Sequence, residues 1–115
     1  MAFPPITTAF GAVGGCFTDV EIAYMIERAR GGAALVFTDG VTVDRNHQLS
    51  VGANLPYFDN DRQISSYARY TDALRNEGVK TCIQLYHAGR QTTLAKRGGK
   101  DPVAPSSVST NMLGL

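Results

Sequence analysis

Twice in this chain a helical pattern passes into a β pattern across little more than glycine. Gly31-Gly32 leads directly into Ala33-Ala34-Leu35-Val36-Phe37-Thr38, and Gly78 into Val79 to Leu85. Glycine in the left-handed region is the ordinary C-terminal stop of a helix. A strand starting one or two residues later must run back along that helix, which is the βαβ way of laying strands parallel. Both runs are short and apolar, as expected for strands covered on both faces.

The elements that precede these junctions are readable. Thr18-Asp19-Val20-Glu21 has the spacing of a capping box, in which the Thr18 hydroxyl accepts from the Glu21 N–H and the Glu21 carboxylate reaches back. Ile22, Met25, Ile26 and Ala29 then fall at i, i+3, i+4 and i+7, one apolar helical face. A second helix is expected from about Asn60 to Glu77, with Ile64, Tyr67, Ala68, Thr71 and Leu74 inward. Phe3 to Phe10 reads as a first strand, its prolines placed at the start where a missing N–H is tolerated. A flexible turn, Gly11-Ala12-Val13-Gly14-Gly15, follows it. The stretch from Gln91 to Leu115 shows no period and is expected to be loop.

The expected class is therefore α/β: three parallel strands and two helices, β-α-β-α-β, with a C-terminal loop, an order that the family resemblance given below makes a partial (β/α)8 barrel. The strand-to-helix links, Gly11 to Phe17 and Asp39 to Phe58, are long, and the helix-to-strand links are minimal. Long loops gathered at one end of a parallel sheet mark a ligand-binding face. Three strands leave edges and apolar surface uncovered, and a closed barrel takes about 250 residues. The 115 residues are thus expected to be part of a larger domain, or to be completed by a second copy or a complementary chain.

Composition narrows the function. A net charge of +1 with scattered Lys and Arg speaks against nucleic acid. Cys16 and Cys82 form no metal-ligand spacing and read as reduced thiols. Neither a signal peptide nor an apolar stretch of about 18 residues is present, so the expected setting is cytoplasmic and away from membranes.

Three groups could carry chemistry. Gln84 stands at the C-terminal end of the third predicted strand, and His87 and Arg90 follow it. An amide such as Gln84 donates and accepts at once and suits a ligand edge with mixed polarity, although it could equally satisfy neighbouring strand carbonyls. His87 could exchange protons or brace its loop, and Arg90 could hold an anion or a carboxylate. Pro4-Pro5-Ile6-Thr7-Thr8 fixes a stretch of backbone against which a flat ligand could lie, with the Thr7 hydroxyl adding a hydrogen bond. Gly40, at the exit of the second long strand, permits close approach of a ligand to the backbone. Gly11 to Gly15 has the spacing G-x-x-G-G, not the G-x-G-x-x-G of a dinucleotide fold.

Taken together these segments resemble the Old Yellow Enzyme family of FMN-dependent NAD(P)H:flavin oxidoreductases, especially the branch of 2,4-dienoyl-CoA and 2-enoate reductases. Pro5-Ile6-Thr7 is similar to the end of that family's first barrel strand and Asp39-Gly40 to the acidic-small pair ending the second. Gln84-Leu85-Tyr86-His87-Ala88-Gly89-Arg90-Gln91-Thr92 with Pro102-Val103-Ala104-Pro105-Ser106 is the most specific block. The resemblance covers nearly the whole chain but only the first third of such a protein. It implies a TIM barrel with FMN at its mouth, touched by the backbone of Pro5 and Ile6, the Thr7 side chain, the Gly40 backbone and the Gln84 amide. It implies NAD(P)H as reductant and an activated alkene, of enoyl type, as substrate. His87 and Arg90 become loop organisers. The family's substrate-anchoring histidines and FMN-phosphate loops have no counterpart here, so the chain would supply a share of the flavin site. An inactive fragment, a subunit that docks to a complementary chain, and a barrel fragment for a sugar or phosphate are the competing readings.

Overall fold

The computed structural model describes residues 1–10, 12–46, 48, 55–93 and 95–108. Its main sheet has three parallel strands in the order β1-β4-β5: β1 is Ala2–Phe3, β4 is Leu35–Thr42 and β5 is Lys80–Tyr86. Helices α1 (Asp19–Arg30) and α2 (Ile64–Asn76) make the two crossovers. This is the expected β-α-β-α-β arrangement, with an antiparallel hairpin added between β1 and α1. The hairpin strands are β2, Ala12–Val13, and β3, Cys16–Phe17.

The capping prediction is half right. Thr18 has extended backbone and its hydroxyl accepts from the Glu21 N–H at 3.2 Å, so α1 starts where its sequence says. The Glu21 carboxylate, however, does not turn back; it points inward and is 3% exposed. Of the predicted apolar face, Ile22, Met25 and Ala29 are buried and Ile26 packs at the core margin.

Three other expectations are corrected. β1 stops at Phe3 instead of running to Phe10, because Pro4 and Pro5 offer no N–H to a ladder. The face of α2 is rotated from the expected one: Ser66, Tyr67, Tyr70 and Leu74 are buried, while Ile64 and Ala68 are exposed. The cause is Phe17, whose ring stacks on Tyr70 at 4.2 Å between centroids and tilts against Tyr67 at 5.0 Å. The Phe17 N–H donates to the Ser66 hydroxyl at 3.0 Å, which also draws that residue inward. The flexible turn is, over its described part, a two-residue hairpin turn with Gly14 at φ 60° and Gly15 at φ 82°, the positive angles that a tight hairpin demands. Gly11 lies outside the described residues. At Gly15 a Cβ would sit 2.5 Å from the Tyr57 ring, so any side chain there would have to displace that ring.

The core lies between the sheet and the two helices: Met25, Val36, Val41, Tyr70 and Leu74 have essentially no exposed surface. The outer strand β5 overturns a further expectation, that the third strand is buried: as an edge strand it is mostly exposed. Ile83 and Leu85 are exposed, Leu85 to 64%, and among the described residues no strand pairs with that edge. Leu74 measures how far the core depends on α2. Leu74→Ala is expected to cost about 2 to 5 kcal/mol, the range for a buried leucine with partial collapse of the site, read by chemical denaturation.

Candidate functional site at the strand exits

β4 and β5 do not run in simple register. Phe37 pairs with Cys82 and Gly40 with Gln84, three steps along β4 against two along β5. The extra residue is a β-bulge at Thr38-Asp39. Because side chains alternate faces along a strand, Phe37 and Gly40 would otherwise point to opposite sides. The bulge puts Gly40 on the same face as Gln84. Thr38 seals it from within: its hydroxyl accepts the Gln84 N–H at 3.1 Å and donates to the Asp39 carbonyl at 2.7 Å, with the side chain fully buried.

Asp39 ties the neighbouring strand exit to the same point. Its carboxylate accepts the Gly40 N–H at 2.6 Å and the Thr8 N–H at 3.4 Å, and the Thr7 hydroxyl is directed at it as well. The structure therefore brings Thr7, Gly40 and Gln84 together at the C-terminal ends of β1, β4 and β5. Pro5 and Ile6 lie exposed in the segment leading to Thr7. The Gln84 side-chain amide is exposed and has no hydrogen-bond partner among the described residues. Its Oε1 comes within 3.7 Å of where a Gly40 Cβ would stand, and the Tyr86 ring within 3.6 Å; both are ordinary contacts. Packing among the described residues therefore does not require glycine at that position.

His87 and Arg90 bond their own loop: the Gly89 N–H donates to His87 Nδ1 at 3.0 Å, and Arg90 donates to the Val108 carbonyl at 2.9 Å. Arg90 also lines a shallow hollow of 360 Å³ between Ala88–Gln91 and Ala104–Ser106.

Sequence reasoning missed the buried half of this site. Glu21, from α1, accepts the Thr8 hydroxyl, so two carboxyl groups flank one threonine. Burial pushes the Glu21 carboxyl up from its ordinary range; the Thr8 hydroxyl opposes this and the Asp39 charge adds to it. Burial also pushes Asp39 up, against the pull of the Gly40 and Thr8 N–H groups and the Thr7 hydroxyl. Position in the capping box had assigned Glu21 elsewhere, and no pattern of residue types announces a bulge.

The fold and the site define a class: the opening strands of a (β/α)8 barrel, with polar groups assembled at the strand ends where such barrels bind ligands. The sequence profile of the NADH:flavin oxidoreductase / NADH oxidase family matches residues 1–113, and the chain belongs to that family. It is 34% identical over 114 residues to an NADH oxidase of Thermoanaerobacter brockii, which covers 99% of this chain and 17% of the relative. Morphinone reductase superposes with a TM-score of 0.82 at 22% identity, over 96% of this chain and 29% of that one. The old yellow enzyme homologue from Zymomonas mobilis gives 0.78 at 23% identity, over 94% and 29%. The chain thus has the fold of the N-terminal part of Old Yellow Enzyme barrels and spans about a sixth of the oxidase's length. Among the described residues no helix is long and apolar enough to cross a membrane, and no group of His, Cys, Asp and Glu is arranged to hold a metal.

The residues present fit a flavin. The Gln84 amide, uncommitted among the described residues, stands beside Gly40 and can both donate to and accept from a flat ring edge with mixed acceptors and an N–H, while the Thr7 hydroxyl and the Gly40 N–H are turned onto Asp39.

Two expectations follow from this geometry. Thr38→Val removes the acceptor for the Gln84 N–H at nearly constant volume, and is expected to destabilise by about 1 to 3 kcal/mol, read by urea denaturation. The pH dependence has a definite sign. Glu21 and Asp39 ionise at higher pH folded than unfolded, so their protonated forms favour the fold. Their contribution is fully present below the ordinary carboxylate range, about pH 4, and is lost as pH rises through the raised values. The urea midpoint should fall over that window, and Glu21→Gln with Asp39→Asn should flatten the slope.

Proposed function

We propose that this chain is the N-terminal portion of an FMN-binding barrel and supplies one wall of the flavin site of an ene-reductase-type enzyme, in which hydride passes from NAD(P)H through flavin to an activated alkene. The observation that carries the reading is the free Gln84 amide beside Gly40, on a face that only the β4 bulge creates. The backbone at Pro5 and Ile6, the Thr7 side chain, the Gly40 backbone and the Gln84 amide would hold the ring. When bound, FMN supplies the hydride chemistry itself. The chain's part is to orient the ring and, through the Gln84 N–H donors, to favour the charge that builds on its pyrimidine side on reduction. Family membership supports a flavin and a nicotinamide reductant. The enoyl-type substrate, the choice between NADH and NADPH, and a cytoplasmic setting are extensions of the same reading.

A second reading is favoured by one observation, the exposed Ile83 and Leu85 on an outer strand. Here the chain acts by docking to a complementary chain, or to another copy, that covers β5. A stable monomer in size-exclusion chromatography over a wide concentration range would count against it.

Flavin binding is tested directly by titrating the 115-residue chain with FMN and following flavin fluorescence and the Gln84 side-chain amide resonance. Weak saturable binding is expected, because the phosphate contacts lie outside this set of residues. Gln84→Leu should weaken it about tenfold, the worth of one to two hydrogen bonds. Equal affinity in the variant would favour a barrel for a sugar or phosphate ligand instead.

A further inference from the structure

The buried carboxyl of Glu21 has no place in the flavin contacts, and stability does not account for it. A capping-box glutamate could satisfy the Thr18 N–H at the surface. This one lies 3% exposed, with Oε1 lacking any partner among the described residues. An under-bonded buried carboxyl costs free energy. Its one hydrogen bond, from the Thr8 hydroxyl, leads toward the site. Thr8 in turn donates its N–H to Asp39 Oδ2 at 3.4 Å, and Asp39 Oδ1 accepts the Gly40 N–H at 2.6 Å. The three carriers come from separate elements: α1, the segment after β1, and the bulge of β4.

We propose that Glu21 is a positioning residue which, through Thr8 and Asp39, holds the Gly40 corner of the site and keeps the Gly40 N–H turned onto Asp39. Thr8 is the link, since its hydroxyl and its N–H engage different carboxyl groups. With Glu21 in place the Thr8 backbone is fixed, the Asp39 carboxylate is fixed against it, and the bulge has one conformation. Without Glu21 the Thr8 hydroxyl has no buried acceptor and the Asp39 carboxylate is free to turn from Gly40. A ligand oxygen seeking the Gly40 N–H must then compete with a carboxylate that α1 holds in place. This gives the N-terminal turn of α1 control over a donor it does not touch. Its relevance to flavin rests on the reading above; the hydrogen-bond chain itself does not.

The test is amide hydrogen exchange by NMR on the 115-residue chain without flavin, comparing Gly40 and Thr8 with the core amides of Met25 and Val36. Glu21→Leu replaces the carboxyl by an apolar group that the buried position tolerates. Its melting temperature should stay level or rise, while Gly40 protection falls about tenfold, the loss of one charge-assisted hydrogen bond. Glu21→Gln, which keeps an acceptor for Thr8, should restore most of the protection. If Glu21→Leu does not fold, Thr8→Val takes its place with Thr8→Ser as the rescuing variant, and the same selective loss at Gly40 is expected. Unchanged Gly40 protection would overturn the proposal, as would a loss that merely parallels Met25 and Val36. A selective loss at Gly40 in a chain that FMN does not perturb would leave the positioning role standing and remove the flavin reading.

Discussion

The site rests on one side-chain hydrogen bond inside a strand, the Gln84 N–H given to the Thr38 hydroxyl. A parallel ladder has no spare acceptor for the residue opposite a bulge, and a buried N–H left unpaired is costly. Thr38 supplies that acceptor from its own side chain, so β4 can carry one more residue than β5 spans. The faces beyond the bulge depend on it. Val36 before it and Val41 after it both enter the helix-side core, and Gly40 comes to stand beside Gln84. An apolar residue at Thr38 would have to choose between a regular ladder with Gly40 turned away and a bulge with an orphaned donor.

Around this point the chain places charge where it is poorly solvated. Asp39 and Glu21 are both buried, and each is engaged by the short segment that follows β1. That segment makes no ladder after Phe3; the two carboxyl groups hold it where strand pairing does not. Polar anchoring of irregular backbone fixes the position of this corner before a ligand arrives, which lowers the ordering cost of binding, although the Gly40 N–H itself is held by Asp39.

Much of the fold was legible because it follows from local rules. The Thr18 cap and the spacing of Ile22, Met25 and Ala29 define α1, and glycine at both helix ends gives the parallel order. Legibility failed where a distant residue decided. The inward face of α2 is set by Phe17, forty-nine residues before its partner Ser66, and periodicity alone chose Ile64 and Ala68 over Tyr70. The first strand was overextended because Thr and Ile favour strands, whereas the missing proline donors end the ladder. Thr7, Gly40 and Gln84 could be singled out as residues at strand exits. That Glu21 and Asp39 lie beneath them depends on a bulge and an inward rotamer, neither of which has a sequence signature.

The hairpin that carries Phe17 has a broader effect. It branches from the first βα unit, yet its ring is seated among the tyrosines of the second helix, and Arg69 of α2 holds both the Phe17 carbonyl at 3.0 Å and Asp19 at 2.6 Å. Repeating βα architectures are often pictured as beads that could part at any seam. Here the seam between the first two beads is stitched, so opening either one would strip an aromatic ring from the other. The third strand is held differently, by its ladder with β4 and the single Thr38 hydroxyl within it, with no aromatic ring exchanged across that seam among the described residues.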